Sequence, residues 1–197
     1  MPTSLVLASS SPRRHQLLRS IGLDFEVVAA DVDETRRDGE PPLDYVTRIA
    51  ESKALAVVNR MGIAAAGDVA VLAADTTVDV DGEVFGKPAD DADARRMLEQ
   101  LSGRTHRVHT AIVGWRMTGM HRALATTDVT FVDLDAAAID WYLSIGEHRD
   151  KAGAYGMQDA AGAFVERVDG SPTNVIGLPL AQTIAVLRAC GIEAASG

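Results

Sequence analysis

The residues whose types and spacing suit chemistry begin at Ser9, Ser10 and Ser11, followed directly by Pro12, Arg13 and Arg14. Leu5 to Ala8, ahead of them, is an apolar run of buried-strand length, and Leu17 and Leu18, behind them, read as helix. Ser11 before Pro12 marks a helix start: a hydroxyl for the N-cap, then a proline where its missing N–H costs nothing. The serines thus fall between a strand end and a helix N-terminus, where unpaired N–H groups and the helix dipole favour an anion. Arg13 and Arg14 add fixed charge and forked donors that fit phosphate oxygens. The plainer reading is a strand–turn–helix junction with a solvated arginine pair. Neither a G-x-x-x-x-G-K-[ST] loop nor a G-x-G-x-x-G fingerprint occurs in the chain.

Further candidates lie downstream. Lys53 falls seven residues after Val46, inside the apolar stripe of Leu43, Val46, Ile49, Ala50, Ala54 and Val57. Its stem either packs there with the ammonium snorkelling to water, or the ammonium meets an anion at the core edge. Asp33 and Glu34 form an acidic pair. Asp75 follows the apolar run Val69 to Ala74, and a carboxylate at the C-terminal end of a buried strand is where α/β proteins place chemistry. A turn-forming aspartate is the alternative. Lys87, between Gly86 and Pro88, must sit on a loop. In the glycine- and alanine-rich stretch Asp150 to Gln158, backbone can approach a ligand, and Gln158 offers a donor and an acceptor for a planar edge.

The elements that position these groups follow from periodicity. After a first helix with Gly22 at its C′ position, Phe25 to Val28 reads as a second strand, and Pro41-Pro42 opens a helix running to about Arg60. Val69 to Ala74 is a central strand that ends at Asp75, and Val78–Val80, Asp81-Gly82 and Glu83–Phe85 read as a hairpin. Asp90 or Asp91 caps a helix that buries Ala94, Met97, Leu98 and Leu101. Two antiparallel strands, around Val108 to Met117 and His121 to Phe131, join near Gly119. His106 and His109 are three apart and so face opposite sides of a strand, which argues against a metal pair. Asp135 caps a helix carrying Ile139 and Tyr142, Ala163 to Val168 is a strand, and Pro179 opens the last helix.

A length of 197 residues suits one α/β domain with a full core. No apolar run is long enough to span a membrane, and no signal sequence is evident, so a cytoplasmic address is expected. The single cysteine, Cys190, rules out an internal disulfide. A net charge of −9 argues against nucleic acid as a partner but leaves room for a small anion with a bridging divalent cation. Cations and carboxylates without a histidine or thiol nucleophile suit metal-assisted phosphoanhydride hydrolysis.

The motifs Ser9-x-Ser11-Pro12-Arg13-Arg14, Glu34, Lys53, Ala74-Asp75-Thr76, Gly86-Lys87-Pro88, Asp150 to Gly156 and Gly177-Leu178-Pro179-Leu180 resemble the Maf family of nucleoside triphosphate pyrophosphatases. They run in order from Leu5 to about Leu187. The resemblance implies a single domain over residues 1–197 with a mixed central sheet flanked by helices, of inosine triphosphatase-like architecture. It also implies release of pyrophosphate from a nucleoside triphosphate, a divalent metal cation (Mg or Mn) and a homodimer; the charge and the lack of a long apolar run leave no nucleic acid or membrane partner expected. Carried over by resemblance, Asp75 is the proton acceptor, and Ser9, Arg13, Arg14, Lys53 and Lys87 contact phosphate. Glu34, with Asp75, belongs to the metal site or acts as a catalytic acid. Arg13, Thr76 and Gln158 match the substrate-choosing residues of the dTTP/UTP branch, so pyrimidine or modified nucleotides are the implied substrates. The stretch Ser171 to Asn174 departs from the Ser-Tyr or Asp-Tyr start common there. Alternatives from other classes are a regulatory nucleotide-binding protein acting on cell division without turnover, and a phosphatase releasing orthophosphate.

Overall fold

A computed structural model describes residues 4–62 and 69–193; the ends of the expected 1–197 domain lie outside them. Their elements are β1 (Ser4–Leu7), α1 (Pro12–Ser20), β2 (Glu26–Val27), α2 (Pro42–Met61), β3 (Val69–Val80), β4 (Glu83–Phe85) and α3 (Asp91–Leu101). There follow β5 (Thr105–Arg116), β6 (Gly119–Phe131), α4 (Ala136–Ile145), β7 (Val165–Asp169), α5 (Pro172–Ile176) and α6 (Leu180–Ala189). The strands form one mixed sheet in the order β2-β1-β3-β5-β6-β7, with β4 paired to β3. This is the expected mixed α/β architecture.

One edge of β3 decides where the site lies. Along its other edge, β5 pairs antiparallel from Val71↔Trp115 to Asp79↔Arg107. On the first edge, β1 pairs in parallel only from Ser4↔Val69 to Leu7↔Leu72, and β4 pairs only from Val78 to Val80. Between them the edge of β3 has no strand partner among the described residues, which leaves a notch over Asp75 and its neighbours. The strand itself does not stop at Asp75, as the sequence reading expected. The β-branched run Thr76-Thr77-Val78 continues it, and nine cross-strand pairs with β5 hold it extended. What ends near Asp75 is the neighbour β1, and the functional position at the end of parallel strands survives in that form.

Each face of the sheet is covered by what its alternation demands. Helix α2 buries Val46, Ile49, Ala50, Ala54 and Val57 on Val6, Val71, Ala73, Ala111 and Val113. Leu43, assigned to the same stripe, instead stays 40% exposed in the first turn of α2. On the opposite face, Leu18 of α1 and Val186 and Leu187 of α6 pack on Leu5, Leu7, Leu72 and Ile112. Farther along, α3 and α4 enclose Phe85, Phe131, Tyr142 and Phe164. Gly114 seats α6 against β5: a Cβ there would lie 2.5 Å from Val186 Cγ1 and 2.7 Å from Cys190 Sγ.

Several local expectations hold. Asp90 caps α3 and Asp135 caps α4 through side-chain oxygens that accept from the amides of Asp93 and Ala138. β5 and β6 are joined by Met117 and Thr118 alone. β7 begins two residues late, because Ala160–Phe164 forms a 3-10 turn first, and the short α5 occupies what was read as a turn. No described helix is long and apolar enough to cross a membrane.

Candidate active site

The notch opens into a cleft of about 400 Å³ lined by Ser9, Ser10, Ser11, Arg13, Arg14, Glu34, Lys53, Asp75, Thr76, Lys87 and Gln158. The nine residues assigned catalytic, substrate-binding or metal-binding roles are among them, whereas Asp33, the other half of the acidic pair, is not; its Oδ1 accepts from the Thr35 amide at 2.9 Å. Alternation along β3 points Asp75 toward α2 and Thr76 toward α1, so the two reach one cleft only because that edge of the strand is bare.

Lys53 resolves its two readings in favour of a partner. The ammonium, carried from within the apolar stripe of α2, lies 2.7 Å from Asp75 Oδ1 and 2.8 Å from Glu34 Oε1. Burial raises the Asp75 carboxyl above its ordinary range, with Lys53 and then Arg14 pulling it back down. Glu34 is carried on the loop ahead of α2, which is staked at two points. Tyr45 Oη donates to the Glu34 carbonyl at 3.0 Å, and Arg48 grips both Glu40 oxygens at 2.6 and 2.7 Å. Tyr45 faces the cleft with its phenol pushed up to about 12 by burial, so it acts as a neutral donor.

The serine–arginine segment is built differently from its sequence reading. The hydroxyl of Ser11 makes no cap; instead the Ser11 N–H donates to Ser9 Oγ at 3.2 Å, a side-chain turn of the kind serine favours. Arg14 is buried, and three of its five N–H donors hold the protein together. Nε donates to the Gly177 carbonyl at 2.9 Å, Nη1 to Ser9 Oγ at 3.2 Å and Nη2 to Thr76 Oγ1 at 3.0 Å. Two donors remain for a ligand. Burial lowers the Arg14 pKa, with Asp75 the first opposing charge. Arg13, more open, is likewise lowered by burial and supported by Asp159 and Asp150.

The opposite wall comes from the glycine-rich loop and α5. The Gly153 N–H donates to the Gly86 carbonyl at 3.0 Å, which ties that loop to the one carrying Lys87. Gly153 itself needs its positive φ of 67° and has no room for a Cβ, which would meet Val78 at 2.8 Å. Gln158 donates from Nε2 to Asp159 Oδ2 at 2.5 Å. Behind α5, buried Asn174 donates to the Val108 carbonyl and to Thr127 Oγ1, both at 2.9 Å, and its own carbonyl accepts from Thr110 Oγ1. Thr110 in turn lies 2.9 Å from Thr76 Oγ1.

The sequence reading missed Tyr45, Asn174 and Asp159 as site-shaping residues. Asn174 followed a Ser-Pro helix start that could have signalled it; for Asp159 no periodicity did. His106 and His109 stand on opposite faces as expected, one against Tyr155 and the other against Asp79 and Thr126. No described group of three or more His, Cys, Asp or Glu side chains converges as a metal cage. Yet Asp75 and Glu34 bring two carboxylate oxygens to one cationic centre, and two carboxylates suit Mg²⁺ when substrate phosphate and water supply the remaining ligands.

The fold and cleft together define an α/β protein whose sheet notch gathers carboxylates and cations around a pocket of nucleotide size. A family profile described as Maf-like protein matches residues 4–190. Related proteins include the dTTP/UTP pyrophosphatase of Anaeromyxobacter dehalogenans strain 2CP-1, 52% identical over 195 residues, covering 97% of this chain and 96% of that one. Those of Methylobacillus flagellatus and Shewanella oneidensis are 47% and 48% identical, each over 96% of this chain and over 94% and 99% of the relative. The chain belongs to the Maf family. Among solved structures, the Staphylococcus aureus Ham1 protein matches at a TM-score of 0.45 and 18% identity, over 66% of this chain and 72% of that one.

Proposed function

We propose that this chain hydrolyses nucleoside triphosphates to the monophosphate and pyrophosphate, preferring dTTP and UTP or modified pyrimidine nucleotides. The observation that carries the reading is the Glu34–Lys53–Asp75 cluster at the floor of a cleft whose rim is cationic. The names of the relatives support it.

Burial gives Asp75 more affinity for a proton than an exposed aspartate, and Lys53 pulls that affinity back down. It therefore accepts a proton from the water that attacks the α-phosphorus. The new bond is water oxygen to α-phosphorus. The bond that breaks joins the α-phosphorus to the α,β-bridging oxygen, whose electron pair leaves with pyrophosphate. Arg13, Lys87 and the two free donors of Arg14 take up that charge, and Ser9 fixes the turn that presents them. Glu34 and Asp75 would hold a divalent cation, Mg or Mn, whose chemistry there is charge neutralisation at phosphate oxygens. Thr76 and Gln158 meet the nucleoside end. A homodimer in a cytoplasmic setting is part of the same proposal.

The test is incubation with a nucleotide panel and Mg²⁺ or Mn²⁺, followed by identification of the released phosphate. Pyrophosphate with UTP and dTTP ahead is expected. Orthophosphate, or tight binding without release, overturns the reading in favour of a phosphatase or a regulatory binder.

A further inference from the structure

Gln158 can present either end of its amide to a ligand, because a terminal amide has one acceptor oxygen and one donor nitrogen on a twofold torsion. Here one end is taken. Gln158 Nε2 lies 2.5 Å from Asp159 Oδ2, and a carboxylate only accepts, so the nitrogen must face it. The Lys151 ammonium, which also donates to the Glu147 carbonyl, stands 3.6 Å from the same Asp159 oxygen and adds an opposite charge to that carboxylate. All three groups close over Gly156, where a Cβ would lie 2.7 Å from Lys151 Cε, 2.8 Å from Asp159 Oδ2 and 2.9 Å from Gln158 Nε2. Gln158 and Gly156 both line the cleft.

We infer that Asp159 is a positioning residue for base choice: by holding Gln158 Nε2 it leaves Oε1 as the acceptor offered to the base, which selects uracil and thymine over cytosine. The inference rests on the proposed nucleotide pyrophosphatase activity. Its chemistry follows from the pyrimidine edges. Uracil and thymine carry an N3–H donor between two carbonyls, whereas cytosine carries an unprotonated N3 beside an amino group. An amide free to rotate serves both edges by turning over. An amide held with its oxygen toward the base meets N3–H with a hydrogen bond and cytosine N3 with a lone pair. The choice between uracil and thymine is left open by this device, since both share the imide.

The measurement is kcat/KM for pyrophosphate release from UTP and from CTP in the wild type, in Asp159→Asn and Asp159→Ala, and in each of these combined with Gln158→Ala. The wild type is expected to favour UTP. Asp159→Asn, which can donate as well as accept, and Asp159→Ala should each shrink the UTP:CTP ratio about tenfold, the discrimination of one good amide–base contact. In the Gln158→Ala background neither change should move the ratio further. A wild type that treats UTP and CTP alike overturns the inference, as does an unchanged ratio in both Asp159 variants. So does a ratio shift that persists without Gln158, which would mark a charge effect on Arg13 or Lys151. A uniform loss for both nucleotides also overturns it, as a structural effect. If the wild type releases no pyrophosphate from any nucleotide, the proposed function itself fails; an active wild type with an insensitive ratio defeats only the role of Asp159.

Discussion

At the scale of single residues, the site turns on one ammonium between two carboxylates. Asp75 has its proton affinity raised by burial and lowered again by Lys53 and Arg14. Activity should therefore rise with pH through a group above the ordinary aspartate range. Asp75→Asn removes the acceptor and should cut kcat by ~10²–10⁴-fold, while nucleotide affinity, read by calorimetry, changes far less. Near-normal turnover in that variant would demote Asp75 to a structural part. Lys53→Met makes a sharper statement. With its nearest cation gone, Asp75 holds its proton more tightly, so the acid limb of kcat/KM should move to higher pH. A limb that stayed in place would show that Lys53 does not govern Asp75.

At the scale of elements, two short segments hold the cleft walls. The turn before α1 is fastened by Ser9 rather than Ser11, so the two serines should differ in urea denaturation. Ser11→Ala should change stability by no more than about 0.5 kcal/mol. Ser9→Ala removes the acceptor for both the Ser11 amide and Arg14 and should cost roughly 1–3 kcal/mol. On the opposite wall, Asn174 ties α5 to β5 and β6. Asn174→Ala removes the donor shared by the Val108 carbonyl and Thr127 Oγ1 and loosens the seat of Gly177, on which Arg14 rests. A loss of roughly 1–3 kcal/mol is expected, together with a raised KM. An unaltered KM would separate the stability of α5 from the shape of the site.

At the scale of the whole molecule, acid stability has an identifiable contributor. His106 is enclosed by Phe131 and Tyr155, and burial lowers its pKa from 6.5 to about 4. The unfolded chain therefore takes a proton that the fold refuses. The resulting stabilisation is full above pH 6.5 and is lost as pH falls from 6.5 toward 4; a displacement of that size corresponds to roughly 3 kcal/mol. Denaturation midpoints should fall between pH 7 and pH 4.5, and His106→Gln should flatten that slope even if it lowers the midpoint throughout. A slope unchanged in that variant would assign the acid sensitivity to other groups.

The sequence by itself determined most of the elements and pointed to nine residues that line the cleft, though not to α5, Tyr45, Asn174 or Asp159. Apolar periodicity set α2 and its stripe, carboxylate caps set α3 and α4, and residue type alone marked Lys53 as needing a partner. These are local properties, written into neighbouring residues by the period of a helix or strand. Tertiary structure alone decided the rest. It carried β3 through Asp75, because pairing with β5 outweighs the polar break that ended the strand on paper. The unpaired edge between β1 and β4 brought Asp75 and Thr76 into one cleft. The fold likewise left Ser11 without a cap bond, made Ser9 the acceptor for the Ser11 amide and Arg14, and spent most of Arg14 on the protein. It also aimed Gln158 through Asp159. Each depends on which distant groups arrive within hydrogen-bond reach, and no local spacing encodes that.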